Sequence, residues 1–312
     1  VCGHASVVSE SRGVIMAEIA AGAVDLAAVA GWRRRWLSVF QALGFFALAV
    51  AGSLIVAGCV MAFLHIDPRK ATPGLSTMMI FEFSQWGGVL VATIAARWLF
   101  KLTLAEAGYA PMRVTQGLAL GGVLGFVLLS AIIGVLFAVG MISFGPLSFD
   151  GVNGLAFLAE FAVMFIAVAL VEEGMIRGPL LALLSRATGF WPAAVLTSLL
   201  FLALHLGNKG ETVIGIANVG VVGLALAWIR RRTGTLWLAI GFHATWDFAQ
   251  SYVWGVPDSG LMLKGSLTVA KLGAGPDWLT GGTAGPEGGL LCTVSIALLV
   301  LIVDRMWPRD AR

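Results

Sequence analysis

The sequence predicts an all-α fold: a polytopic transmembrane helix bundle of about eight spans, with both termini on the cytoplasmic side. Three observations predict it. Of 312 residues, 59% are hydrophobic and 12% charged, about half the charged share of a soluble domain. The mean hydropathy is +0.92. Apolar runs long enough to cross roughly 30 Å of hydrocarbon recur, separated by short polar intervals. The net charge of +3 is small and no basic patch carries interleaved aromatics, so lipids are expected as partners and nucleic acid is not. Cys2, Cys59 and Cys292 are far apart and form no CxxC, which reads as three free thiols.

Residues 1–36 read as an N-terminal cytoplasmic segment. No basic stretch leads into an apolar core there, so no signal peptide is expected; Met16 offers an internal start. His4 is expected to face solvent. Trp32, Arg33, Arg34, Arg35 and Trp36 form a basic and aromatic border of the kind found at the cytoplasmic face. Residues 37–150 hold three accessory spans, at about 37–64, 78–100 and 116–144. His65 closes the first and should face solvent. Glu82 lies near the start of the second and reads as structural. In the third, Gly117, Gly121 and Gly125 recur every four residues, a packing face that admits a close neighbour.

Residues 151–255 hold spans four to seven, at about 155–185, 193–206, 212–229 and 235–254. A glycine-rich stretch, 255–289, reads as an external loop. An eighth span at 290–303 and a short tail complete the 256–312 segment. Arginine clusters at 33–35, 97–113, 177–186, 230–232 and 305–312 fall on alternate loops, which places both termini in the cytoplasm; Arg69 and Lys70 are an exception. There is no internal repeat of the kind common in transporters.

The fourth span carries Glu172, Glu173 and Arg177 within an apolar run. A charge at bilayer depth costs about 3 kcal/mol on insertion scales, so three on one helix imply a use. Glu173 and Arg177 are four apart and share a face. Glu172 points about 100° away, free to face a cavity. Glu173 lies sixteen residues before Gly189 and His205 sixteen after, so a hairpin there sets both at one height, about 24 Å from the turn. His243 and Asp247, in the seventh span, reach a similar depth after the turn at Thr233. Taken singly each group has a plain reading: a packing histidine, a structural Glu–Arg pair, an aspartate on a polar cavity. Together, on successive helices, they suggest a site.

These residues resemble the motifs of the CPBP family, the CAAX proteases and bacteriocin-processing enzymes, whose relatives include type II CAAX prenyl endopeptidases and lysostaphin-resistance-like proteins. EExxxR is matched by Glu172-Glu173-Gly174-Met175-Ile176-Arg177, FxxxH by Phe201-Leu202-Ala203-Leu204-His205, and HxxxN/D by His243-Ala244-Thr245-Trp246-Asp247. The resemblance covers about 155–255. Leu279-Thr280-Gly281-Gly282 to Gly285-Pro286-Glu287-Gly288 is also similar to bacterial members, and the first three spans carry no motif.

The resemblance implies an intramembrane endopeptidase in a bacterial plasma membrane, acting on a membrane-associated peptide. It makes Glu172 the base that activates water and gives His205 a role beside that water or on a metal. His243 and Asp247 complete the site, and Glu173 and Arg177 support it. Asp247 stands where prenyl endopeptidases have asparagine. An ionised aspartate repels an oxyanion, so Asp247 is protonated, orients His243, or joins a metal. Glu172, His205, His243 and Asp247 would then be the ligands of Zn²⁺ or another divalent ion. Against a zincin, there is no HExxH. Two other functions fit the same residues: a proton- or ion-coupled transporter, and a non-catalytic scaffold of the bacteriocin-immunity kind.

Overall fold

The computed structural model describes residues 26–66, 74–149, 151–208, 210 and 212–307. The expectations placed on Cys2, His4, Met16, Arg69, Lys70 and the last five residues lie outside the described residues. Ten α-helices are described: α1 (Leu26–Phe63), α2 (Leu75–Leu99), α3 (Val114–Ala138), α4 (Gly151–Glu172), α5 (Leu181–Thr188), α6 (Phe190–His205), α7 (Val213–Thr233), α8 (Trp237–Phe248), α9 (Asp277–Thr280) and α10 (Leu290–Met306). A π-helical segment, Glu173–Leu180, joins α4 to α5, and a second, Ala249–Val253, extends α8.

Five runs are long and apolar enough to cross a membrane: Gly31–Phe63, Leu75–Leu99, Val114–Ala138, Gly151–Thr188 and Val213–Thr233. Leu54, Ile55, Phe63 and Trp98 turn outward on them, more than half exposed. So broad an apolar surface is stable when lipid covers it, and helices satisfy their own backbone groups there. This is an integral membrane protein. α6, α10, and α8 with its π extension, where further spans were expected, are shorter.

Close packing depends on glycines at two places. A side chain on Gly52 of α1 would meet the Cα of Gly88 on α2 at 3.2 Å. On α3, Gly117, Gly121 and Gly125 face Trp237, Leu238 and Phe242, so the predicted packing face is real and its neighbour is α8. The Thr245 hydroxyl of α8 donates to the Gly122 carbonyl at 2.8 Å, and the Trp254 indole donates to Ser130 of α3 at 3.0 Å. The polar interval 102–113 straps the opposite end. Arg186 pairs with Glu106 at 2.6 Å, Arg230 donates to the Glu106 carbonyl, and Trp237 donates to the Ala110 carbonyl at 2.8 Å. Burial pushes the Glu106 carboxyl up, but the Arg186 and Thr103 hydrogen bonds outweigh it and hold it at about 2.

Three expectations change. Arg177 was counted among the arginines that mark a cytoplasmic loop. It is fully buried, because Glu173 neutralises it inside the bundle, and it marks no loop. The fourth span is not one regular helix: Pro179 lacks an N–H and crowds the preceding turn, and Gly178 takes a non-helical φ of −81° and ψ of −124°. The 255–289 stretch, expected as a loop, is a folded return with structure of its own. It adds strand β2 (Ala270–Leu272), antiparallel to β1 (Ile142–Phe144), so the bundle is not purely helical. The Asn218 amide of α7 anchors this return on the Glu287 and Gly289 carbonyls at 2.8 and 2.9 Å. Gly281 and Gly285 have φ of 81° and 111°, and a side chain on Gly281 would collide with the Gly285 carbonyl, which explains the glycines of this tight turn. His65 and Cys59 are exposed and Cys292 is buried; both cysteines are free thiols.

Candidate active site

The interior charges begin with Glu173. Its Oε1 accepts a hydrogen bond from Arg177 Nη1 at 2.8 Å and lies 2.9 Å from His243 Nδ1. A carboxylate only accepts, so Nδ1 carries a proton. Glu173 and Arg177 are both fully buried, and the Arg177 guanidinium lies 4.1 Å from the centre of the Phe201 ring. Phe201 of the second motif therefore serves as a cation–π platform under the arginine of the first. On the far side of the π segment, a side chain at Gly174 would begin 2.5 Å from the Tyr109 hydroxyl. Burial pushes that phenol up to about 12, so it stays a neutral group against the turn that carries Glu173.

The other ring nitrogen of His243 looks the opposite way. Nε2 lies 3.4 Å from Asp247 Oδ2 and 3.7 Å from Glu172 Oε2. All three residues line a cavity of about 820 Å³, and the Glu172 side chain is 28% exposed there. The expected split of the glutamate pair is what the structure has: Glu173 is neutralised and Glu172 faces open space.

His205 differs from expectation. It lines the same cavity, but its Nδ1 donates to the Phe201 carbonyl of its own helix at 2.8 Å, and its ring lies 4.4 Å from the Phe201 ring. Among the described residues no hydrogen bond or ion pair joins it to Glu172, Glu173, His243 or Asp247. Matching height along two helices did not fix direction around them, and the π segment unsettled the count. With Nδ1 occupied, Nε2 is the nitrogen His205 has for the cavity.

The metal ligand set does not assemble. Among the described residues no three His, Cys, Asp or Glu side chains are grouped to hold an ion. His205 stands apart, and one His243 nitrogen is taken by Glu173.

Sequence reading missed three contributors. Glu82 of α2, read as structural, lines the cavity, with the Gln85 amide on its Oε1 at 3.3 Å. Its signal was present, since a carboxylate within an apolar run is itself an anomaly. Asp258 lines the cavity from the return segment, accepting from the Ser251 hydroxyl at 2.9 Å. Burial, then the charges of Asp247 and Glu287, push its carboxyl well above the usual range. Tyr109 is the third. Nothing local in the sequence announces the last two.

Two of the three helices that carry the motifs pass into π segments, one at the glutamate pair and one just after Asp247. Such segments are frequent at functional sites. Residues 154–249 match the family model described as Type II CAAX prenyl endopeptidase Rce1-like. All three motifs fall within this Rce1-like segment, which bears out the resemblance over that stretch. Glu82, Tyr109 and Asp258 lie outside it. No curated protein matches the chain.

Proposed function

We propose that this chain is an intramembrane endopeptidase that hydrolyses a membrane-associated peptide with water activated by Glu172. The observation that carries the reading is the asymmetry of the glutamate pair about His243: Glu173 is fully buried on Nδ1, while Glu172 faces the cavity 3.7 Å from Nε2. The Rce1-like match supports the reaction class.

In this mechanism a water held by Glu172 attacks the scissile carbonyl carbon, and Glu172 takes the proton released. The new C–O bond places negative charge on the carbonyl oxygen, which His243 Nε2–H receives as a donor, while His205, whose Nδ1–H is spent on the Phe201 carbonyl, offers Nε2 as an acceptor for the attacking water. The C–N bond then breaks, and the proton on Glu172 passes to the leaving nitrogen, giving a carboxylate and an amine. His243 donates from both nitrogens only when the ring is charged, and Glu173 and Asp247 are placed to balance that charge. This gives Asp247 an orienting role consistent with its departure from asparagine.

The wider reading comprises eight spans with both termini cytoplasmic, in a bacterial plasma membrane. The three shorter helices supply the remaining crossings where the bundle thins the bilayer.

The test is a comparison of membrane peptides from cells with the wild-type chain and with Glu172→Gln, which keeps shape and removes the base. Processing of at least one membrane-associated peptide should disappear while the variant stays folded in the membrane. Unchanged processing removes Glu172 as the base. Flux across reconstituted vesicles that depends on Glu172, without peptide cleavage, would point to the transporter reading instead.

A further inference from the structure

A second cavity, of about 390 Å³, lies where the last turn of α5, the first turn of α6 and the last turn of α7 meet the 102–113 strap. Ser185, Arg186, Phe190, Arg230 and Arg231 line it with Glu106, and none of these residues lines the cavity that holds His243. Three guanidinium groups thus share one carboxylate, and that carboxylate is already engaged. Glu106 Oε1 accepts from Arg186 Nη2 at 2.6 Å, and Oε2 accepts from the Thr103 N–H and hydroxyl at 2.9 and 2.7 Å. Arg230 donates through Nη2 to the Glu106 carbonyl, a neutral group. Arg231 lies over the Phe190 ring, 4.5 Å from its centre. Among the described residues neither Arg230 nor Arg231 is paired with a carboxylate.

Two buried atoms point independently to a ligand. Ser185 Oγ and Arg230 Nε are both withdrawn from solvent, and neither has a hydrogen-bond partner among the described residues. A buried donor without an acceptor is costly, and a charged donor more so. The missing partner is therefore an anion with several acceptor oxygens, spread between α5 and α7. A carboxylate offers two oxygens on one side. A phosphate offers three or more in different directions, and the planar guanidinium matches it in bidentate fashion. The flanking surface is suited to lipid. Trp191, Val195 and Leu199 follow Phe190 at four-residue spacing on one face of α6, and all three are exposed. A tryptophan beside the arginines marks headgroup level, and the two aliphatic side chains give an acyl chain an apolar track.

We infer that this cavity binds a phosphate group between Arg230, Arg231 and Ser185. An anionic phospholipid and a soluble phosphate compound share that chemistry, and the apolar track along α6 favours the lipid. Basic pockets between helices at a membrane surface hold headgroups in this way. The bound phosphate would tie α5 to α7 beneath the strap. The site is separate from the hydrolytic groups and does not rest on the endopeptidase reading.

The full chain, purified in neutral detergent, is titrated with phosphatidylglycerol and with phosphatidylcholine, whose choline offsets its phosphate. Bound lipid is counted by native mass spectrometry. Phosphatidylglycerol should bind the wild type at least about tenfold more tightly. Arg231→Gln, at an exposed position, should cut that preference to about threefold or less, and Ser185→Ala should lower it as well. Arg305→Gln removes one exposed charge from the end of α10, outside the cavity, and should leave the preference intact. The second arm adds millimolar inorganic phosphate at matched ionic strength and follows thermal unfolding. A lipid preference lost in Arg231→Gln identifies a headgroup site. Without a lipid preference, a rise of about 2 °C or more with phosphate, also lost in Arg231→Gln, identifies a soluble phosphate compound as the ligand. Neither a lipid preference nor a rise with phosphate overturns the inference. A lipid preference that Arg231→Gln and Arg305→Gln lower equally, or that neither Arg231→Gln nor Ser185→Ala lowers, overturns it too.

Discussion

The two sides of His243 are built to different ends. On the Nδ1 side, Glu173 and Arg177 form a closed pair against the Phe201 ring, and of the three only Phe201 lines the cavity. On the Nε2 side, Glu172 and Asp247 meet the same ring at longer distances and face open space. The first side fixes the imidazole; the second leaves its other nitrogen facing the cavity. Paired charges are therefore tolerable within the bundle on one side, while charges on the other remain incompletely matched for a reacting group to exploit.

The largest effect should come from breaking the closed side. Arg177→Met leaves Glu173 buried without its cation, at a cost of about 3–5 kcal/mol, enough to unfold most of the bundle. Thermal unfolding in detergent would show it, and Phe201→Leu should lose far less. A variant Arg177→Met that unfolds like the wild type would mean that the stack is not a stability element.

On the open side, Glu172→Gln should leave the melting curve nearly unchanged while cleavage of its substrate falls about 10²–10⁴-fold. A third variant probes how α8 holds the two sides together. A Cβ at Gly125 would meet the Phe242 carbonyl, with Thr245 Oγ1 at 2.5 Å and Trp246 N at 3.0 Å. Gly125→Val should push α8 away and shift His243 and Asp247, and a displacement near 1 Å costs about 10²-fold in rate. Gly134→Ala, on the same helix with nothing within 4 Å, is the matched control and should be silent. Equal activity in the two would separate α3 from the geometry of the site.

The smallest effect lies at the outer strap. Glu106 is held at about 2 against an ordinary 4.5, so its pairing contributes stability that is complete above about pH 4.5 and is lost as pH falls towards 2. Its side chain is 44% exposed, so solvent screening limits the contribution to below about 1 kcal/mol. Glu106→Gln should therefore remove only a shallow acid dependence from the melting temperature, and a large loss at pH 7 would contradict this.

Much of the closed side was legible in the sequence because it follows helical spacing. Glu173 and Arg177 sit four apart, as do Phe201 and His205, and His243 and Asp247. The glycines of α3 were also readable as a packing face, though not which helix they would meet. The open side was less legible because its wall is assembled across the chain. His205 shows that depth along a helix says nothing about direction around it. Asp258 reaches the cavity only because 255–289 folds back through tight glycine turns, and no local pattern around residue 258 encodes that return. Pro179 was a visible sign of an irregular helix, but whether the ladder breaks, kinks or widens to a π segment is settled by packing against Tyr109 and the 102–113 strap.

The grip of α3 on α8 bears on how portable this site is. The Rce1-like segment holds every motif residue, yet the groove that seats its last helix and the cavity-lining carboxylates Glu82 and Asp258 come from outside residues 154–249. Grafted into a foreign bundle, that segment would bring its chemistry without the mould that aligns it. Natural exchange of the flanking helices would then reshape the cavity wall while leaving the motif residues unaltered.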